Sequence, residues 1–197
     1  LMLKASALAS TITLLELTCR PVDISHEENA EVAPNCHLHP WRIDMQLDAS
    51  NLRNGSPVSQ LIDMLGTSPA LERHKDYLHT IITELFSNAL EHGVLELSSD
   101  LKKTEDGYLE YYEQREQRLQ TLEQGYVNIR LGLECEGNKG RLSINIEDSG
   151  KGFDFEQRQP SEDDDAFGRG IPLLETLCTS ITYSNGGTKV SVEYLID

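Results

Sequence analysis

Four short stretches of this chain hold the residue types and spacings from which a reactive site can be built. Residues 84–93 read Glu-Leu-Phe-Ser-Asn-Ala-Leu-Glu-His-Gly. On an α-helix, at roughly 100° per residue, Glu84, Asn88 and Glu91 fall within about 60° of one another. Their oxygens then point at one place, on an edge flanking a core stripe of Leu85 and Ala89. The amide oxygen of Asn88 is a neutral hard ligand suited to Mg2+, an ion that keeps waters and takes the rest of its shell from phosphates. Glu84, one turn earlier, is placed to accept the proton of an attacking hydroxyl as a general base. His92 is as well placed to pack against the helix end as to touch a ligand.

The other three stretches are rich in glycine. Asp148-Ser149-Gly150-Lys151-Gly152 follows a strand whose Leu142, Ile144 and Ile146 should enter the core, which leaves the Asp148 carboxylate at the strand end facing a pocket. Gly150 and Gly152 permit close backbone approach and positive φ in the turn. Gly168-Arg169-Gly170 precedes a helix, where free amides and the helix dipole favour phosphate, and Arg169 is in reach of a terminal phosphate. The acidic run at residues 161–167 reads as a solvated loop. Thr188 opens the last strand after Gly186-Gly187. Cys36-His37-Leu38-His39 has no fourth ligand at the usual spacing, so it is not read as a metal centre.

The elements that must position these groups follow from periodicity and punctuation. Ile43, Met45 and Leu47 alternate with polar residues and predict a strand near residues 41–49. A short helix opens after Gly55-Ser56-Pro57 and ends at Gly66. A long helix starts at Ser68-Pro69 and runs to Gly93. A second helix over residues 107–124 carries Tyr108, Tyr112, Leu119, Leu122 and Tyr126 as its apolar stripe, expected to be buried. Its polar face (Glu113, Arg115, Glu116 and Arg118) is expected to stay open to solvent or a partner. Strands over residues 126–135, 141–148 and 188–196, a helix over 171–178 and a strand over 181–184 complete the pattern. Residues 1–40 read as a strand at 11–18 and an irregular linker, ahead of a globular domain at 41–197 with a helical insertion at about 97–125.

The chain has 33 acidic against 17 basic side chains, a formal charge of -16, and no run of Lys and Arg, which speaks against a nucleic-acid partner. A nucleotide here must be held by backbone amides, helix ends and a divalent cation rather than by a basic pocket. No stretch is long and apolar enough to span a bilayer, and the opening residues lack the order of a signal peptide. Cys19, Cys36, Cys135 and Cys178 show no disulfide or zinc pattern and fit a reducing cytoplasm. The first residue is Leu1, and the chain is expected to be a piece of a longer protein.

In order and in type, the four stretches resemble the N, G1, G2 and G3 boxes of the GHKL superfamily, which includes gyrase, Hsp90, sensor kinases and the serine kinases of anti-sigma-factor antagonists. The resemblance covers about residues 41–197. It implies an α+β fold, a two-layer α/β (Bergerat) sandwich with a mixed, mainly antiparallel sheet and helices on one face. It implies ATP held by Asn88, His92, Asp148, Gly150, Gly152, Gly168, Arg169, Gly170 and Thr188, with Mg2+ on Asn88, Glu84 as the catalytic base and Asp148 accepting from the adenine amino group. The phosphoacceptor helix pair of sensor histidine kinases is missing, since His26-Glu27-Glu28-Asn29 lies in the linker. Only about fifteen residues separate Gly152 from Gly168, unlike the long lids of gyrase and Hsp90.

The chain therefore looks most like an anti-sigma serine kinase, which implies phosphorylation of a serine or threonine on an anti-sigma-factor antagonist. The alternative is a non-catalytic module that sequesters a sigma factor or an antagonist. The strand at 11–18 resembles the closing strand of a PP2C-like phosphatase, so the expected partners include upstream phosphatase or receiver domains and a sigma or anti-sigma factor. A homodimer is left open.

Overall fold

The alternation read at residues 41–49 becomes an edge strand. In the computed structural model, which describes residues 38–55, 57–136, 139–153 and 170–197, β1 spans Trp41–Asp48 and buries Ile43, Met45 and Leu47 on one face. The long hairpin that follows later in the chain, β2 (Tyr126–Glu136) and β3 (Lys139–Asp148), alternates in the same way. With β4 (Ser180–Ser184) and β5 (Lys189–Ile196) these strands form a five-stranded sheet of order β1-β2-β3-β5-β4, antiparallel at every pairing among the described residues. Register keeps apolar side chains level across it: Met45 faces Ile129, Ile129 faces Ile146, and Ile144 faces Val192. A slip of one residue would turn each of these outward.

Among the described residues, helices cover that apolar face. α1 (Ala49–Asn54) follows β1 without a gap, started by a capping box in which Asp48 accepts from the N–H groups of Ser50 and Asn51 and donates its own to the Asn51 side chain. α2 (Pro57–Leu65) contributes Leu61, Ile62 and Leu65 to the core, and α4 (Lys75–Ser87) contributes Leu78, Ile81, Ile82 and Leu85. The other sheet face is polar: Arg42 and Arg130 both pair with Asp44 there, beside a shallow groove of about 330 Å³ that also touches Trp41, Gly132 and Asn145. This is the α+β sandwich that the resemblance implies. No helix among the described residues is long and apolar enough to cross a membrane.

The helix expected to run unbroken over residues 69–93 is three pieces. α3 (Pro69–Glu72) stops, and the chain turns at His74, which is buried and hydrogen-bonded through Nδ1 to the Tyr194 hydroxyl at 2.8 Å. That partner lies 120 residues away on β5, so local sequence carries no sign of the break. α4 then passes at Asn88 into a π-helical segment, Asn88–Val94, closed by the Leu95 N–H bonding to the Leu90 carbonyl five residues back at 2.8 Å.

The insertion departs further from expectation. After a 3-10 turn at Ser99–Lys103, α5 spans Glu105–Gln120; of its described aromatic side chains Tyr111 is fully enclosed, whereas Tyr108 and Tyr112 are 43% and 44% exposed. The inward face is polar as well as aromatic. Glu91, from the π segment, receives the Tyr111 hydroxyl at 2.6 Å and Arg115 Nε at 2.8 Å, with Lys102 Nζ at 3.4 Å. Lys102 also sits over the Tyr111 ring, 4.0 Å from its centre. Arg118 donates to the carbonyls of Leu95 and Glu96, which the end of the π segment leaves unpaired. Arg115 and Arg118 therefore point at the domain instead of lying on an open polar face.

Burial raises the Glu91 pKa, but the Tyr111 hydrogen bond, Lys102 and Arg115 together outweigh it and hold the carboxyl below its ordinary range. Burial, and then the bond to Glu91, push the Tyr111 phenol well above its ordinary value. Removing the acceptor leaves a buried hydroxyl and a guanidinium unpaired at once, whereas removing the hydroxyl leaves Glu91 with two cations. Glu91→Ala should thus cost roughly 2–3 kcal/mol of stability, against about 1 kcal/mol for Tyr111→Phe, as read by urea unfolding. A Glu91→Ala variant no less stable than Tyr111→Phe would contradict this anchor.

Candidate functional site

α4 delivers Glu84 half-buried on its way to the π segment. Its carboxylate lies against Gly170, the first residue of α6 (Gly170–Leu177), so closely that a Cβ at Gly170 would overlap Glu84 Oε2. The proton acceptor expected on one helix and the amide-rich start of another are thus brought to a single point. Asn88, one turn on, is half-buried, and no group among the described residues hydrogen-bonds to its side-chain amide.

The second half of the site is at the end of β3, the middle strand. The Asp148 N–H donates to the Thr188 carbonyl at 2.9 Å, continuing the ladder one step beyond the strand. Asp148 Oδ1 accepts from the Gly150 N–H at 2.8 Å. The carboxyl is flanked by the end of the π segment: a Cβ at Gly93 would overlap it, and a Cβ at Gly150 would strike the Gly93 backbone. Only two facing glycines let these chains approach so closely. Gly152, at φ +74, is packed against the Gly186 carbonyl and the Thr188 methyl, and Phe153 fixes the same turn by donating its N–H to Gly186 at 3.0 Å. The Thr188 hydroxyl donates to the Asn185 carbonyl at 3.0 Å.

The structure therefore brings Asp148, Gly150, Gly152 and Thr188 together, and Glu84 with Gly170. Gly168 and Arg169 lie outside the described residues. His92 is exposed and its Nδ1 contacts the Leu97 carbonyl at 2.7 Å, which ties it to the loop leading into the insertion. Glu91, expected beside Glu84 and Asn88, faces the insertion instead, because its three donors lie there. Tyr111 and the ring pair Phe153–Tyr183, 5.4 Å apart, are the residues that sequence reasoning missed, and Glu91 is the one whose direction it misread. The i, i+4 pair Tyr111 and Arg115 was a legible sign that this helix face seeks an acceptor.

These residues fit the groups that the resemblance implies. A half-buried carboxyl beside two glycines offers an acceptor of the polarity that an amino group on a flat base would seek. Among the described residues no cluster of three or more His, Cys, Asp or Glu could hold a metal ion. Asn88 alone suits Mg2+ only when phosphate oxygens complete the shell.

Burial raises the Asp148 pKa to about 6, with the Gly150 N–H opposing it and Glu147 adding to it. A carboxyl raised in the folded state favours folding at low pH, and that benefit is lost as pH rises through the folded pKa. The nucleotide-free protein should therefore gain stability from Asp148→Asn at pH 7.5. The gain should be about 1–2 kcal/mol once the carboxyl's partial exposure is allowed for, and it should shrink as pH falls from 7 towards 5. Thermal melts of both proteins across that range check the sign. A destabilised variant, or a gap independent of pH, would contradict the assignment.

No curated protein matches the chain. The family model described as the histidine kinase-like ATPase domain matches residues 66–194, well over half of the 197 residues, and spans α4, Asp148, α6 and Thr188. The chain belongs to the histidine kinase-like ATPase domain family.

Proposed function

We propose that this protein is an Mg2+- and ATP-dependent serine/threonine protein kinase acting on an anti-sigma-factor antagonist, as the C-terminal domain of a cytoplasmic regulator with a phosphatase-like segment upstream at residues 1–40. The observation that carries the reading is the meeting of Glu84 with the start of α6. It sets a proton acceptor beside the helix start whose amides would hold a terminal phosphate. Asp148 and Thr188 receive the adenine end, and Gly150 and Gly152 let the backbone approach it. Asn88 would hold Mg2+, which when bound neutralises phosphate charge. Gly170 and, by its place in sequence, Arg169 would hold the terminal phosphate. Glu84 accepts the proton of the incoming serine or threonine hydroxyl, so that oxygen attacks phosphorus as the nucleoside diphosphate departs. The short segment between Gly152 and Gly168, and the chain's charge of -16, support a protein substrate over nucleic acid.

Two experiments test this. ADP should raise the melting temperature strongly with Mg2+ present and weakly without it, and Asn88→Ala should abolish the difference. An unchanged Mg2+ effect in that variant would remove Asn88 from the metal. Glu84→Gln should keep nucleotide binding and lose at least about 100-fold in phosphotransfer to an antagonist protein, scored with labelled ATP. Near-parental transfer would show that Glu84 is not the base, and transfer absent from the parent would favour a sequestering role.

A further inference from the structure

Among the described residues, the charges of α5 and of the turn before it are sorted by direction. Lys102, Arg115 and Arg118 all turn inward, to Glu91 or to the carbonyls of Leu95 and Glu96. The charged side chains described on the outward side of α5 (Asp106, Glu110, Glu113 and Glu116) are all acidic and exposed. Bordering these acids lie three large apolar residues: Leu109 at 65% exposure, and Tyr108 and Tyr112, whose rings pack edge to face 4.9 Å apart. Tyr112 is in turn stacked edge to face on buried Tyr111, 5.7 Å away, so the exposed pair is held by the core rather than waving in solvent. Pre-ordered aromatic rings with little entropy left to lose are what protein interfaces use as anchors.

We infer that the outward face of α5, centred on Tyr108, Leu109 and Tyr112, is the docking surface for a basic segment of the protein substrate, one in which Lys or Arg residues flank an apolar side chain. Charge complementarity selects that occupant: carboxylates bordering an apolar strip attract cations and repel a second copy of this acidic chain. Placement ties the surface to the chemistry, because Tyr111 and Arg115 clamp the same helix onto Glu91, three residues after Asn88. The inference rests on the kinase reading only for calling the partner a substrate.

The test uses the full chain and two fluorescent 16-residue amphipathic peptides, one of Lys and Leu and one with Glu replacing every Lys, followed by anisotropy. The Lys/Leu peptide should bind and the Glu/Leu peptide should not. Tyr108→Ala with Tyr112→Ala should weaken binding at least about tenfold although the net charge is unchanged, which separates docking on this face from general attraction to an acidic protein. Glu113→Gln with Glu116→Gln should weaken it a few-fold and flatten its salt dependence. Leu109→Ser, at the most exposed of the three positions, is the second variant should the tyrosine pair fail to fold, and it should also weaken binding. Parental affinity in the folded variants, or equal binding of the acidic peptide, overturns the surface. So does a dimer, seen by sedimentation, that Tyr108→Ala with Tyr112→Ala dissolves. ADP binding measured on the same samples keeps the two readings apart. Normal ADP binding without patch-dependent peptide binding removes the surface alone, and patch-dependent binding without any ADP binding removes the kinase reading alone.

Discussion

A single methyl group would not fit between Gly93 and Asp148, and the arrangement of the site follows from that contact. It brings the end of the π segment onto the end of the sheet's middle strand, so the two sides of the contact are set by elements with their own cores. Leu90 and Ala89 are buried on one side, and Ile144 and Ile146 on the other. Because Gly150 packs on the Gly93 backbone in turn, the Asp148 carboxyl is confined from both directions and partly stripped of water. The resulting raised pKa is a cost to the fold that a ligand able to donate a hydrogen bond would offset. A stability deficit concentrated on one half-buried carboxyl is the kind that functional sites carry.

The same π segment serves two masters. Its inner side packs on the sheet, and its outer side offers Glu91 to the insertion, where a tyrosine, an arginine and a lysine converge on it. The wider winding spaces Asn88, Glu91 and Gly93 so that they face separate tasks. The polar anchor ties α5 to the stretch that carries Asn88.

Much of the fold was legible because strands announce themselves by alternation, and β1, β2, β3 and β5 each have three or more apolar residues pointing inward. The glycine turns were legible for a related reason: Gly93, Gly150 and Gly152 are demanded by close approach, and a demand for glycine is visible in any sequence. What was not legible depends on distant partners. The break at His74 answers to Tyr194, and the direction of Glu91 answers to Tyr111 and Arg115. In the predicted stripe of α5, Leu119 and Leu122 do pack on the core, but tyrosines at positions 108 and 112 look like core by type, while the core position, 111, is chosen by a carboxylate from another element. α1 was missed because six residues between a strand and a glycine leave no periodicity, only the cap at Asp48 and Asn51.

The proposed function requires that Asp148 read the amino edge of adenine where it lies between Gly93 and Gly150. Guanine presents a carbonyl oxygen where adenine presents that amino group, and it would meet the carboxylate with an acceptor against an acceptor. Titration calorimetry of ADP and GDP into the full chain, both with Mg2+, tests this directly. ADP is predicted to bind and GDP to bind at least about 100-fold more weakly, the penalty expected when a buried polar group loses its partner. Equal affinity for the two nucleotides, or no binding of either, would contradict the account.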